Sequence, residues 1–262
     1  MATEIYNRLK RWFRDRSDVV PQLEITAKGV LVPGAITGAW EFRDDFNTFT
    51  ASASGVTSWH ADSVAVGTGG AGAAVQDAHG GVVKVVLNNA AGDNFHYHWG
   101  TNTTVNEIFK PVAGKRFWMA TRFKVEDADQ ALPMIGAHIS QDDPWNTEPS
   151  DQVMFRTLAA DADALQFAVG KTNSTEVTVS LGNLEDDTWV TCVAFYDGYD
   201  TVHVFRYNDS GELTNSGRAV VTSSAAGDLL PDTELSPIFG VEAVDTGADD
   251  FNIDFLYIAQ ER

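Results

Sequence analysis

The chain has 262 residues, of which 44% are hydrophobic, and this is enough to bury a core without disulfide bonds. Cys192 is the one cysteine, which excludes an internal disulfide and a Cys/His zinc pattern, and we expect it to be a buried apolar side chain. Eighteen Lys and Arg stand against 37 Asp and Glu, and the net charge of −19 argues against nucleic-acid binding by the main domain.

Residues 3–16 have the period of an amphipathic helix. Its apolar stripe consists of Ile5, Tyr6, Leu9, Trp12 and Phe13, and the basic residues beside it include Arg8, Arg11 and Arg14. Residues 1–16 contain five basic and two acidic side chains, hence +3, which leaves −22 for the other 246 residues. Because a single short helix is marginally stable in water, we expect these residues to dock on a partner, to pack on their own domain, or to lie on a membrane. An acidic body is repelled by anionic lipid, which argues against the membrane.

Residues 19–39 alternate apolar side chains with five Pro or Gly residues, and this pattern predicts an extended arm. We therefore divide the chain into an N-terminal helix with an anchoring arm, 1–39, and a second domain, 40–262. No run of apolar residues is long enough to span a bilayer, and the N-terminus lacks the apolar core of a signal peptide. We expect a soluble chain that folds in the cytoplasm and has no membrane partner.

From Trp40 onward, short runs with period-two alternation are separated by turn residues. The predicted strands are 82–87, 116–125, 153–157, 165–169, 176–180, 188–196, 201–207, 218–222, 238–244 and 252–259. Asp197-Gly198 and the run Asn208 to Gly211 are typical of tight turns between strands. About a dozen strands without a helix between them predict an all-β antiparallel sandwich of the jelly-roll type.

The order of these segments resembles the concanavalin A-like, or laminin-G-like, jelly-roll sandwich. The resemblance rests on a strand opening at Asp44-Asp45-Phe46, on 116–125 and 134–140, on the paired strands of 188–207, and on the closing strand 251–259. Within that superfamily, the segments 114–125, 135–140 and 184–205 are most similar to structural proteins of tailed bacteriophages.

That resemblance implies a non-enzymatic virion protein, assembled in the host cytoplasm, that decorates or cements a phage capsid, and it implies no catalytic residues. The expected partners are the major capsid protein or other virion subunits and further copies of the chain, with a trimer as the guess. We expect the helix residues to make the contact: Ile5, Tyr6, Arg8, Leu9, Arg11, Trp12, Phe13 and Arg14. The arm would link neighbouring subunits, so that many weak contacts add up.

An alternative is a carbohydrate-binding module or receptor-binding fibre domain that uses exposed tryptophans. The candidates for stacking on a sugar ring are Trp59, Trp99 and Trp145. A glycan hydrolase is a weaker alternative, because the paired-carboxylate motif of jelly-roll glucanases is absent. The nearest acidic groups of that kind are Asp250 with Asp254 and Glu41 with Asp44.

The sequence predicts no cofactor and no metal centre, although calcium on an acidic loop stays open. The oxygen donors for it would come from Asp142 and Asp143 or from Asp161 and Asp163, and neither pair fits an EF-hand loop. His96 and His98 alternate along one strand and face the same side. The spacing of His60, His79, His138 and His203 gives no sign that they converge on that pair, so we interpret His96 and His98 as hydrogen-bonded strand residues.

Overall fold

The structure, a computed structural model, describes residues 23–25, 31–33, 39–46, 58–64, 73–77, 81–87, 90–101, 104–105, 108–139, 144–145, 150–159, 161–171, 176–223, 227–245 and 250–262. The predicted helix 3–16 and most of the predicted arm lie outside these ranges, and so do all eight helix residues expected to contact a partner. None of the described residues belongs to a helix, and therefore none to one long and apolar enough to cross a membrane.

The described residues form twenty strands, and eight of them make up one sheet, which we call the front sheet. Its members are β4 (Ser58–Val64), β7 (Asn94–Thr101), β8 (Thr104–Val105), β10 (Ala131–His138), β11 (Asp151–Leu158), β12 (Asp161–Lys171), β13 (Glu176–Asn183) and β19 (Ser236–Ala243). The order is β13-β12-β11-β10-β19-β7-β4, with β8 paired to β7. All pairs are antiparallel.

A second sheet of eight strands, which we call the back sheet, packs against the first. Its members are β3 (Ala39–Asp44), β5 (Ala73–Asp77), β6 (Val82–Val86), β9 (Phe117–Val125), β14 (Val190–Tyr196), β15 (Thr201–Asn208), β16 (Leu213–Val220) and β20 (Phe251–Glu261). The order is β16-β15-β14-β9-β20-β6-β5, and β3 pairs with β20 beside β6. Two small pairs complete the described strands: β1 (Leu23–Ile25) with β2 (Leu31–Pro33), and β17 (Thr222–Ser223) with β18 (Gly227–Asp228).

The core lies between the two sheets because each strand presents alternate apolar residues to the other layer. Its centre is aromatic: the Phe239 ring lies 4.7 Å from Trp59, 5.1 Å from Phe46 and 5.3 Å from Tyr97, measured between centroids. Cys192 is fully buried on β14, and burial raises the pKa of its thiol to about 12. The expectation of a buried cysteine is confirmed.

The predicted all-β antiparallel sandwich is confirmed, and each of the ten predicted strands overlaps an observed one. The turn at Asp197-Gly198 joins β14 to β15, with Gly198 at φ +86°. The Asp197 carboxylate accepts hydrogen bonds from the amides of Tyr199 and Asp200, at 2.8 and 3.1 Å. A glycine with positive φ and an aspartate that bonds to the following amides are the local chemistry that reverses the chain here.

Candidate functional site

The outer side of the front sheet, opposite the core, carries polar and sulfur-containing side chains, and most of them are buried. We call it the front face. Its central strand β10 contributes Met134, Gly136 and His138, which alternate with the core residues Ile135 and Ala137. The sheet register places Met134 beside Arg156 and Gly240, and places Gly240 beside His96. Residues far apart in sequence are therefore neighbours on one surface.

Two glycines on the front face are required by close approach of neighbouring strands. A Cβ at Gly136 would lie 2.3 Å from the Val153 carbonyl oxygen, and a Cβ at Gly240 would lie 2.6 Å from the Phe95 carbonyl oxygen. These contacts are with backbone atoms, which cannot rotate away. The positions of β11 and β7 relative to the middle of the sheet therefore depend on both glycines.

Trp145 lies over the middle of the front face. It packs against Met134, Met154 and Ala168, and its Nε1 donates a hydrogen bond of 2.9 Å to the Leu132 carbonyl oxygen. The ring is only partly buried. The segment that follows β10 therefore places a tryptophan in a fixed position with one part of its surface accessible.

A polar cluster lies beside Trp145, on both sides of Met154 along β11. The Arg156 guanidinium, 2% exposed, donates to both Glu176 carboxylate oxygens at 2.7 Å and to Gln152 Oε1 at 3.0 Å. Gln152 Nε2 in turn donates to Glu176 at 3.1 Å. Each planar group fixes the next. Arg156 and Gln152 are buried, so of the three only the Glu176 carboxylate is accessible to a ligand.

Glu176→Gln keeps the shape of this cluster and removes one charge. We expect it to lower the free energy of unfolding by about 2 kcal/mol, because Arg156 would stay buried without its counter-charge. The matched control is Asp187→Asn. It removes an exposed carboxylate, 2.6 Å from Lys124, and should cost less than about 1 kcal/mol. Urea unfolding at pH 7 measures both, and equal effects would contradict a buried, oriented cluster.

Four histidines converge on the other half of the front face: His60 on β4, His96 and His98 on β7, and His138 on β10. The ring centroids of His60 and His98 are 5.3 Å apart, and those of His96 and His98 are 6.4 Å apart. The prediction that His96 and His98 share a side is confirmed. The sequence spacing gave no sign that His60 and His138 lie beside this pair, and the order β10-β19-β7-β4 brings their strands together.

Burial keeps two of these histidines neutral. It lowers the pKa of His96 to about 3, and the nearby His138 and His98 rings contribute to the decrease. Burial also lowers the pKa of His138 to about 4. The hydrogen bond between His138 Nδ1 and the Ile139 carbonyl oxygen favours the charged form and so acts in the opposite direction. His96 Nδ1 and His138 Nε2 have no hydrogen-bond partner among the described residues. The described residues contain no group of three or more side chains placed to hold a metal ion.

The three tryptophans proposed as sugar platforms do not form one surface. Trp59, 2% exposed, lies in the core, where its Nε1 donates a hydrogen bond of 2.6 Å to Asp44, so its ring is not available to a ligand. Trp99 is on the same side of the front sheet, partly buried against Phe42 and Trp59. The opposite side carries Trp145, which is therefore the only one of the three on the front face.

The acidic residues considered for catalysis or calcium have other roles where they are described. Asp250 forms an ion pair with Lys84, and Asp254 lies 2.8 Å from Arg122. Burial raises the pKa of the Asp44 carboxyl, while its hydrogen bonds from Trp59 and Phe46 act in the opposite direction. Asp163 accepts a hydrogen bond of 2.6 Å from Asn183, and residues 142 and 143 lie outside the described ranges.

None of the predicted site residues is Arg156, Gln152 or Glu176. Alternation along 152–156 could have placed Gln152, Met154 and Arg156 on one side of a strand. It could not have shown that this side holds a tryptophan from a loop, or that Glu176 reaches it from β13. Those neighbours follow from the order of the sheet.

The architecture is that of an all-β, lectin-like jelly-roll sandwich. The chain is similar to the crystal structure of a protein of unknown function from Shewanella oneidensis MR-1, with 16% identity and a TM-score of 0.55 over 94% of this chain and 92% of that one. It is similar to lectin II from Ulex europaeus, with 14% identity and a TM-score of 0.51 over 85% of this chain and 99% of that one.

A further similarity is to arcelin-5, a lectin-like defense protein from Phaseolus vulgaris, with 11% identity and a TM-score of 0.50 over 86% of this chain and 99% of that one. At these identities the likeness establishes the fold alone. A scan against protein-family models and a search of curated protein sequences both find no match.

Proposed function

We propose that the protein is a non-enzymatic glycan-binding protein whose binding surface is the front face around Trp145. The observation that carries this proposal is the partly exposed Trp145 ring, which is fixed by its hydrogen bond to Leu132 and lies beside the Glu176 carboxylate that Arg156 and Gln152 orient. Sugars offer an apolar face of C–H groups and a rim of hydroxyls. A fixed aromatic ring beside an oriented carboxylate matches both.

The role of Glu176 fits binding better than hydrolysis. A retaining or inverting glycosidase needs two carboxyl groups about 5–10 Å apart, one of them protonated or free to attack. Both Glu176 oxygens are bonded to Arg156, so this carboxylate is an orienting acceptor. The lectin-like fold is in keeping with binding, since plant lectins have the same architecture.

Trp145→Ala is expected to abolish glycan binding, because it removes the ring on which the sugar would stack. The sandwich should stay folded, because Trp145 packs outside the main core. The matched control is Trp189→Ala, which removes a tryptophan that stacks with Arg122 on the back sheet, at 4.2 Å from the guanidinium carbon. The measurement is binding of the full chain and both variants to a glycan panel, followed by calorimetry on the best ligand. Equal binding by all three proteins would contradict the proposal.

A second candidate function is a structural role on a phage particle, as the sequence resemblance implies. The observation that favours it is the charge division, with +3 on residues 1–16 and −22 on the remainder, which suits a basic anchor carrying an acidic displayed domain. On this proposal the protein decorates or cements a capsid through residues 1–39, and copies of the chain adjoin one another in the shell.

The test of the second candidate changes Arg8, Arg11 and Arg14 together to Ala in the full chain. Attachment to purified particles, measured by cosedimentation, is expected to fall at least tenfold, and a Trp145→Ala control is expected to attach normally. Unchanged attachment of the arginine variant, or no attachment of the unmodified protein, would contradict the structural role.

A further inference from the structure

The outer surface of the back sheet carries a continuous aromatic patch. Its members are Trp118, Ala120, Val193, Phe195, Tyr207, Phe255, Tyr257 and Ala259, with Phe205 at its margin. The sheet register places Trp118 directly beside Phe195 and Ala259, and Ala120 beside Val193 and Tyr257. We call this set the aromatic patch. It lies on the opposite side of the molecule from the front face.

The aromatic patch is covered. Trp118 is 2% exposed and Tyr257 is 1% exposed, although both are on the outer side of a sandwich, where a sheet without a third layer meets water. Neighbouring strands lie beside these rings, and the Arg116 guanidinium carbon lies 5.9 Å from the centre of the Trp118 ring. Burial raises the pKa of the Tyr257 hydroxyl. Trp118 Nε1 and the Tyr257 hydroxyl have no hydrogen-bond partner among the described residues.

The position of β2 indicates what this layer is. β2 lies against β9, the strand that carries Trp118 and Ala120. The two edges of β9 are paired with β14 and β20, and its inner face packs on β10 of the front sheet. The remaining side is the outer one. Five of the six residues of β1 and β2 are apolar, Glu24 being the exception, which suits a strand pair that rests on aromatic rings.

We propose that the aromatic patch is the docking site of the chain's own N-terminal strand pair, β1–β2. The burial of apolar side chains from both partners drives the docking. The patch and the front face are on different sheets, so this inference is independent of glycan binding. Docking of β1–β2 on the back sheet leaves the front face free.

The test uses contact quenching of a fluorophore by tryptophan in the full chain. Leu31→Cys and Val32→Cys are made separately, since neighbouring strand positions point to opposite faces, and each is labelled with bimane. The native Cys192 is buried and does not react. We expect emission of at least one labelled variant to be several-fold below that of the free dye, and Trp118→Phe to restore most of it. The matched control, Trp145→Phe on the front face, should restore none.

Two outcomes would overturn the proposal. The first is full emission from both labelled variants, or quenching that Trp118→Phe does not relieve. The second is quenching of the labelled Trp118→Phe chain when excess unlabelled wild-type protein is added, because the occupant of the patch would then be a strand pair from a second copy.

Discussion

Gly240→Ala is expected to destabilise the sandwich by about 3 kcal/mol or more and to weaken glycan binding at the same time. The added methyl group would lie 2.5 Å from His96 Cβ and 2.6 Å from the Phe95 carbonyl oxygen. Relief requires β19 and β7 to separate, which breaks ladder hydrogen bonds and shifts the histidine half of the front face. Gly136→Ala should act in the same way through the Val153 carbonyl oxygen, at 2.3 Å.

The control for a general effect of adding a methyl group to glycine is Gly114→Ala. An added Cβ there meets nothing within 4 Å. The substitution should therefore destabilise the protein only through the positive φ of +86°, by about 1 kcal/mol. Guanidinium unfolding of the three variants gives the comparison. If Gly240→Ala costs no more than Gly114→Ala, the close approach of β19 and β7 is not a feature of the protein in solution.

Acid is expected to unfold the protein through His96 and His138. Their pKa values are about 3 and about 4 in the folded chain, whereas an unfolded histidine has a pKa of 6.5. The unfolded state therefore binds more protons below pH 6.5, and stability falls as the pH falls toward the folded values. Each histidine contributes a slope of about 1.4 kcal/mol per pH unit. Together they remove about 5 kcal/mol over the first two units, a large part of the stability of an ordinary domain.

The double variant His96→Gln, His138→Gln tests this dependence. Above roughly pH 7.5 the histidines are neutral in both states, so the difference from wild type there measures the packing cost of the substitutions. Between pH 6.5 and 4.5 the wild-type stability should fall more steeply than that of the variant. Parallel curves over this range would mean that the two rings are not buried as neutral groups.

The fold was predictable from sequence because period-two alternation is a local property. Phe117, Met119 and Phe123 alternate with Trp118, Ala120 and Arg122, and this is sufficient to recognise β9. The choice of the core side was not predictable in every strand. In β4, the side chains of Trp59 and His60 point to opposite sides of the sheet, and both have large rings. Only the packing of Trp59 on Phe239 shows which side faces the core.

The front face was less predictable because it depends on sheet order. The front face takes Trp145 from a loop, Arg156 from β11 and His96 from β7, and these elements are well separated in the sequence. Their proximity follows from β10 lying between β11 and β19, with β7 next to β19. Sequence spacing does not show which strands are neighbours in a sheet. The convergence of the histidines and the cluster around Arg156 could therefore not be derived from it.

Photocrosslinking most directly tests whether the front face is the binding surface. The best-binding glycan of the panel is made with a photoreactive group, crosslinked to the full chain, and the modified peptides are identified by mass spectrometry. We expect modification at 132–138, 144–145, 152–156 and 176–180, with loss of these crosslinks in Trp145→Ala. Crosslinks confined to the back sheet, at 117–125 or 190–207, would contradict the account.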